Sequence, residues 1–103
     1  MRGRPLKSII RQNIVEILYF SNPMYGYEIF KVYNTIFPAV TQRSIYYHLR
    51  KGEVIEEFKI SKIQSKKGNY SWGQNAERIY YKLGPNANPK ISKRAKKFFE
   101  SRS

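Results

Sequence analysis

Residues 25–51, YGYEIFKVYNTIFPAVTQRSIYYHLRK, decide the reading of this chain. Ile29, Phe30, Tyr33 and Ile36 recur at the three- and four-residue spacing of an amphipathic helix that begins at Tyr25 or Gly26. Pro38 closes that helix, because a proline excludes its predecessor from helical geometry. Thr41 then offers a hydroxyl to cap a second helix of about residues 41–52. On its wheel Ile45, Leu49 and Gly52 share one side. Arg43, Tyr47 and Arg50 lie roughly opposite, with Ser44 and Lys51 beside them and Tyr46 and His48 on the flanks. Gly52 admits two readings: a C-terminal cap, or a small residue on the core stripe of a helix that runs on to about Glu56. Either way the stretch is two short helices joined by a tight turn, the second with a basic exposed stripe.

Working outward, Ser8 to Phe20 places Ile10, Ile14, Ile17 and Leu18 at helical spacing, with Ser8 as N-cap and Arg11, Gln12 and Glu16 on the water-facing side. Ser21-Asn22-Pro23 breaks it. Downstream, Phe58 and Ile60 alternate with Glu57, Lys59 and Ser61, and Ile79, Tyr81 and Leu83 with Arg78, Tyr80 and Lys82, which predicts two half-buried strands. Between them QSKKGNYSWGQNAE is long for a hairpin loop. Gly84-Pro85 stops the second strand, and Ser92 to Glu100 forms a short helix with Ile91, Ala95, Phe98 and Phe99 on its apolar side. The expected organisation is a basic arm over residues 1–7, a folded domain over 8–85, and a basic tail or short helix over 86–103 that is a candidate dimerisation element.

A chain of 103 residues supports one modest core but no deep catalytic cleft. Its 20 Lys and Arg against 7 Glu give a net charge of +13, a field that favours a polyanionic partner. Residues 1–7 hold Arg2, Arg4 and Lys7 with no acid, and residues 90–103 hold six basic residues against Glu100. A charge run is by itself only a solvated face, but here the excess is at both ends and in the body. There is no Cys, so neither a disulfide framework nor a thiolate metal site exists. The N-terminus lacks the apolar stretch of a secretory signal and no segment approaches 18 apolar residues, which predicts a cytoplasmic, nucleoid-associated protein without membrane contact. His48 is the single histidine and the Glu residues are scattered, so no metal site, cofactor site or catalytic constellation is expected and the chain does not read as an enzyme.

Helix, helix, helix, strand, loop, strand is the order of a winged helix-turn-helix. Gly26-Tyr27-Glu28-Ile29, then Ser44-Ile45-Tyr46 with Leu49 one turn on, and Ile79-Tyr80-Tyr81-Lys82-Leu83 resemble the GYEI, S-L-Y-x-x-L and KYYxLT signatures of PadR-like transcriptional regulators, over roughly residues 9 to 84. The resemblance implies an α+β fold of three helices and a two-stranded β-wing with a short C-terminal helix, and a homodimer on double-stranded DNA. Tyr47 replaces the proline usual in the family, Gly52 a leucine, and Glu56 the glycine that ends the recognition helix. The long C-terminal dimerisation helices of many relatives are missing or reduced to residues 90–103. In compactness and charge the chain resembles the small winged-helix proteins of crenarchaea and their viruses.

Major-groove reading needs side chains that reach base edges from an exposed helix face, and Arg pairs bidentately with guanine O6 and N7, which makes Arg43 and Arg50 the candidate base readers. Gln42 suits adenine or phosphate, and Ser44, Tyr47 and Lys51 suit phosphate. Lys66 and Lys67 beside Gly68 would form a wing tip. Tyr70 and Trp72 either stack on nucleic acid or pack on the domain, with packing the simpler reading of Trp72. Arg2-Gly3-Arg4-Pro5 resembles the RGRP core of the AT-hook, in which two guanidiniums run along a narrow A·T minor groove. The nine Tyr and six Phe mostly fall on apolar stripes and are most simply core, with an aromatic effector site at Tyr25, Tyr27, Tyr46 and Tyr47 as the rival reading. Phe98 and Phe99 would be buried against a partner's first helix. The expected function is a DNA-binding transcriptional regulator. Its rivals are an architectural, chromatin-like DNA binder of little sequence preference and a protein- or RNA-binding winged helix.

Overall fold

In the computed structural model residues 8–21, 23–66 and 76–102 are described, with the backbone alone at 64–66, 76, 77 and 102. Arg2, Arg4, Lys67, Tyr70 and Trp72, and the side chain of Lys66, lie outside the described residues. The elements are α1 (Ile9–Phe20), β1 (Met24–Tyr25), α2 (Gly26–Ile36), α3 (Gln42–Val54), β2 (Phe58–Lys66), β3 (Ala76–Leu83) and α4 (Lys93–Arg102). This is the expected α+β winged helix-turn-helix, with one strand more than the sequence suggests. β1 adds to the far edge of the wing, so the antiparallel sheet runs β1-β3-β2 with Met24 opposite Tyr81 and Tyr25 opposite Tyr80.

α1 and α3 start where the sequence places a cap. The Ser8 hydroxyl accepts the Arg11 N–H at 3.3 Å and the Thr41 hydroxyl accepts the Ser44 N–H at 3.1 Å, each satisfying an amide that has no partner within its helix. Ile14, Val15 and Ile17 of α1, Ile29 of α2, Ile45 and Leu49 of α3, and Phe58 of β2 are wholly buried together. Each such side chain contributes roughly 2 kcal/mol by leaving water. Tyr81 joins them from β3 and Ala95 from α4.

Two expectations for α1 are overturned. Arg11 and Glu16 do not face water; they are 6% and 2% exposed. The α3–β2 turn covers Arg11, whose Nε donates to Glu57 Oε1 at 2.9 Å, and Glu57 is itself buried rather than on the solvent side of its strand. Residues 88–92 cover Glu16, whose carboxylate accepts the Lys90 and Ser92 N–H groups at 2.7 and 2.9 Å and the Gln12 amide at 2.7 Å. Both charges are compatible with burial because each is paired or hydrogen-bonded.

α3 does not end at Gly52. It runs to Val54, because a Cβ on Gly52 would lie 2.3 Å from Phe58 Cδ2; the glycine is the close packing point between α3 and β2. Glu56 at φ 65 makes the stop: the Glu57 N–H reaches Gly52 O at 2.8 Å and the Glu56 N–H reaches Glu53 O at 3.2 Å, the paired bonds of a Schellman motif. The strands are longer than the alternation suggests. Ile60 opposes Tyr81 while Lys62 opposes Tyr80, so Ser61 is an extra residue in β2, a bulge that brings Ile63 opposite Ile79 and carries the pairing on to Lys66 and Ala76.

The C-terminal helix packs on its own chain. Ala95 is buried, Phe98 and Phe99 rest half-buried on the core, and Phe99 stacks on Phe20 with ring centroids 6.4 Å apart. Ile91 is not on the apolar side of α4: it precedes the helix, half-exposed, at φ 60. No helix among the described residues is long and apolar enough to cross a membrane.

Candidate nucleic-acid interface

Ile45, Leu49 and Gly52 fix α3 to the core from one side, which leaves the opposite side to solvent. There Gln42, Arg43, Tyr47, Arg50 and Lys51 are all exposed, Tyr47 at 60%, and Ser44 is half-buried with its N–H taken by the cap. Six of the residues expected to contact a partner are thus on one helix, five of them on its open face. Gln42, Arg43, Tyr46, Tyr47 and Arg50 border one shallow concavity, and the Gln42 side-chain amide donates to the Tyr46 hydroxyl at 3.3 Å. Tyr46 is fixed at its ring: a Cβ on Gly26 would lie 2.2 Å from Tyr46 Cε1, so glycine at the start of α2 is what lets the two helices meet there.

The approach of α2 to α3 is held by a contact that no sequence pattern signals. Asn34 of α2 accepts the Val40 N–H through Oδ1 at 2.9 Å and donates through Nδ2 to the Val40 carbonyl at 3.2 Å. The side-chain amide thus satisfies both polar groups of one turn residue, as a strand neighbour would.

Behind α3 the His48 ring meets Tyr47 edge-on, with centroids 5.0 Å apart. Its Nδ1 is buried and, among the described residues, has no hydrogen-bond partner. Burial, and secondarily the nearby Arg11 guanidinium, push its pKa below the ordinary value of 6.5, so the ring is neutral at pH 7. The half-buried imidazole packs on its own helix through the Tyr47 ring.

Between α3 and the wing lies a cleft of about 360 Å³ bordered by Tyr25, Tyr46, Arg50, Glu53, Arg78 and Tyr81. Burial, reinforced by Glu53, pushes the Tyr81 hydroxyl above its usual pKa, so it is uncharged at neutral pH. Arg50 borders both the concavity and the cleft. The sheet adds cations that sequence reasoning did not single out: Arg78 lies over the Tyr25 ring at 4.8 Å and Lys62 over Tyr80 at 4.7 Å, while Tyr25 and Tyr80 pack at 5.5 Å. The alternating pattern of β3 placed Arg78 and Tyr80 on the outer face, but β1, which brings in Tyr25, left no signal. Lys59 and Lys82 are exposed neighbours across the ladder. Among the described residues no group of His, Cys, Asp and Glu could hold a metal ion.

No family model matches the chain, and no curated protein matches it in sequence. Solved structures do. A PadR family transcription regulator from Clostridium difficile R20291 is 25% identical with a TM-score of 0.54, covering 92% of this chain and 83% of its own. A PadR-like transcriptional regulator from Bacillus cereus is 23% identical with a TM-score of 0.48, covering 90% and 80%. With the GYEI, SIYYHL and IYYKL motifs lying in order on α2, α3 and β3, the chain shares the winged helix-turn-helix fold of the Clostridium difficile PadR family regulator.

Proposed function

We propose that the chain is a double-stranded DNA-binding transcriptional regulator whose α3 enters the major groove. The observation that carries this reading is the open stripe of Gln42, Arg43, Tyr47, Arg50 and Lys51 on a helix immobilised from behind by Ile45, Leu49 and Gly52. Rigid presentation matters because bidentate pairing tolerates little misplacement. The net charge of +13 and the likeness to the Clostridium difficile regulator support the same reading. Arg43 and Arg50 read bases, Gln42 reads a base or holds phosphate, and Ser44, Tyr47 and Lys51 set register on the backbone. Lys62, Arg78 and Lys82 of the wing, with Lys66 and Lys67 at its tip, follow the flanking phosphates, and Arg2 and Arg4 of the arm enter the adjacent minor groove.

Arg43 and Arg50 lie two helical turns apart, about 10 Å, which spans only about three base-pair steps of 3.4 Å. So short a site is not unique in a genome. We therefore propose a homodimer on an inverted repeat with half-sites one helical turn apart. Arg50→Ala should weaken binding to the cognate duplex by about 1–3 kcal/mol and relax preference at one base position. Equal loss on cognate and random duplexes would reduce Arg50 to a phosphate contact. Genomic footprinting that gave uniform coverage in place of a narrow motif would replace a regulator by an architectural protein.

A further inference from the structure

The cations of α4 are not accounted for by α3 and the wing. Ala95, Phe98 and Phe99 dock this helix on the core, and its start is fixed by the Ala95 N–H on Ser92 Oγ at 3.3 Å and by the hold of Glu16 on residues 90–92. Lys93, Arg94, Lys96 and Lys97 are left exposed, and none of them pairs with a carboxylate among the described residues. The first turn has no acid to balance the positive end of the helix dipole and instead carries Lys93, Arg94 and Lys96. Local rules for helix stability are broken here with no structural return, which is the mark of a functional surface.

Position separates this surface from α3. Both α3 and α4 pack on α1 and α2, with no comparable contact between α3 and α4, so the two helices present different faces of the molecule. At physiological ionic strength charges act over about 8 Å, so cations on a face that does not adjoin α3 add little to the hold on a duplex seated against α3.

We propose that the exposed face of α4 binds the phosphate backbone of a second DNA duplex, so that the protein bridges two duplexes. This rests on the reading of α3 as a duplex-binding helix. The partner follows from charge complementarity: four exposed cations along one helix, unpaired among the described residues and two of them, Arg94 and Lys97, bordering a shallow open concavity, match a regular line of phosphates.

The test is capture of a labelled duplex by the full-length protein already bound to an immobilised cognate duplex. The variant combines Lys93→Gln, Arg94→Gln, Lys96→Gln and Lys97→Gln, which keeps helix propensity nearly unchanged. Far-UV circular dichroism and the melting midpoint establish that it folds. The wild type should capture the second duplex, with capture falling about 10²-fold between 50 and 200 mM salt for four phosphate contacts. The variant should lose capture at least tenfold while holding a single short duplex within about threefold of wild type. Capture unchanged in the variant, or absent in the wild type, would overturn the proposal. So would an equal loss of single-duplex affinity, which would place α4 on the same duplex as α3, and so would four-cation-dependent binding to phosphatidylserine vesicles without duplex capture. Failure of the α3 reading is distinguishable, since Arg43→Ala with Arg50→Ala would then leave single-duplex affinity unchanged.

Discussion

Glycine at position 56 should make the protein more stable. Glu56 adopts φ 65 because the end of α3 requires it, with the Glu57 and Glu56 amides turned back onto Gly52 and Glu53. A residue carrying a Cβ pays about 1–2 kcal/mol for that left-handed conformation. Against this, glycine gives the unfolded chain extra freedom worth about 0.4–1 kcal/mol. The net gain is about 0.5–1 kcal/mol, which at about 4–8 °C per kcal/mol raises the melting midpoint by roughly 2–8 °C. The Glu56 carbonyl, which accepts the Asn86 N–H at 2.9 Å, is kept in the variant. Removing the carboxylate also changes the charge, so Glu56→Ala is the control: it removes the same charge and retains a Cβ. Urea unfolding of wild type, Glu56→Gly and Glu56→Ala at one pH and salt gives the three free energies. If the glycine variant were no more stable than the alanine variant, backbone strain at the end of α3 would be refuted.

Substitutions at Gly52, Arg11, Glu57 and His48 probe what holds α3. Gly52→Ala drives a Cβ to within 2.3 Å of Phe58 and should destabilise by about 1–3 kcal/mol, read as a lower urea midpoint. Arg11→Met leaves the Glu57 carboxylate buried without its cation and should cost about 3–5 kcal/mol; adding Glu57→Leu should recover much of that loss, and a double variant as unstable as the single one would contradict a charge-pair origin. His48 is held neutral when folded but gains a proton near pH 6.5 when unfolded, so the unfolded chain binds more protons in acid. Its share of stability is therefore present above pH 6.5 and is lost as pH falls through the lower pKa of the folded state. Urea midpoints at pH 8, 6.5 and 5 should decline, and His48→Gln should flatten that decline.

What could be read from residues alone divides along physical lines. The helices were legible because Ile14, Ile17, Ile29, Ile45 and Leu49 recur at helical spacing, and Ser8 and Thr41 announce their starts. Arg11, Glu16 and Glu57 were misplaced because a helical wheel separates apolar from polar, whereas these charges are buried by pairing with groups far along the chain. β2 ended too early on the page because Ile60 and Ile63 are three residues apart, a spacing that breaks strict alternation and that the bulge at Ser61 absorbs. The end of α3 stayed open because Gly52 reads both as a stop and as a packing point, and only the position of Phe58 decides for the contact. Of the candidate interface, the exposure of Gln42, Arg43, Tyr47, Arg50 and Lys51 on α3 was legible from the wheel. Tyr25 was found only as an aromatic, since its place beside Arg78 and Tyr80 depends on a two-residue strand too short to leave a pattern.

The Asn34 clamp on Val40 also bears on how freely the open face of α3 could vary. The angle at which α3 leaves α2 is set by a side chain on α2 and by core residues, none of them on the open face. On the proposed reading of α3, Gln42, Arg43, Tyr47 and Arg50 form an alphabet that can be exchanged while the helix keeps its pose. The natural randomised library for testing that reading is those four positions, with Asn34, Gly26 and Gly52 held constant as the frame.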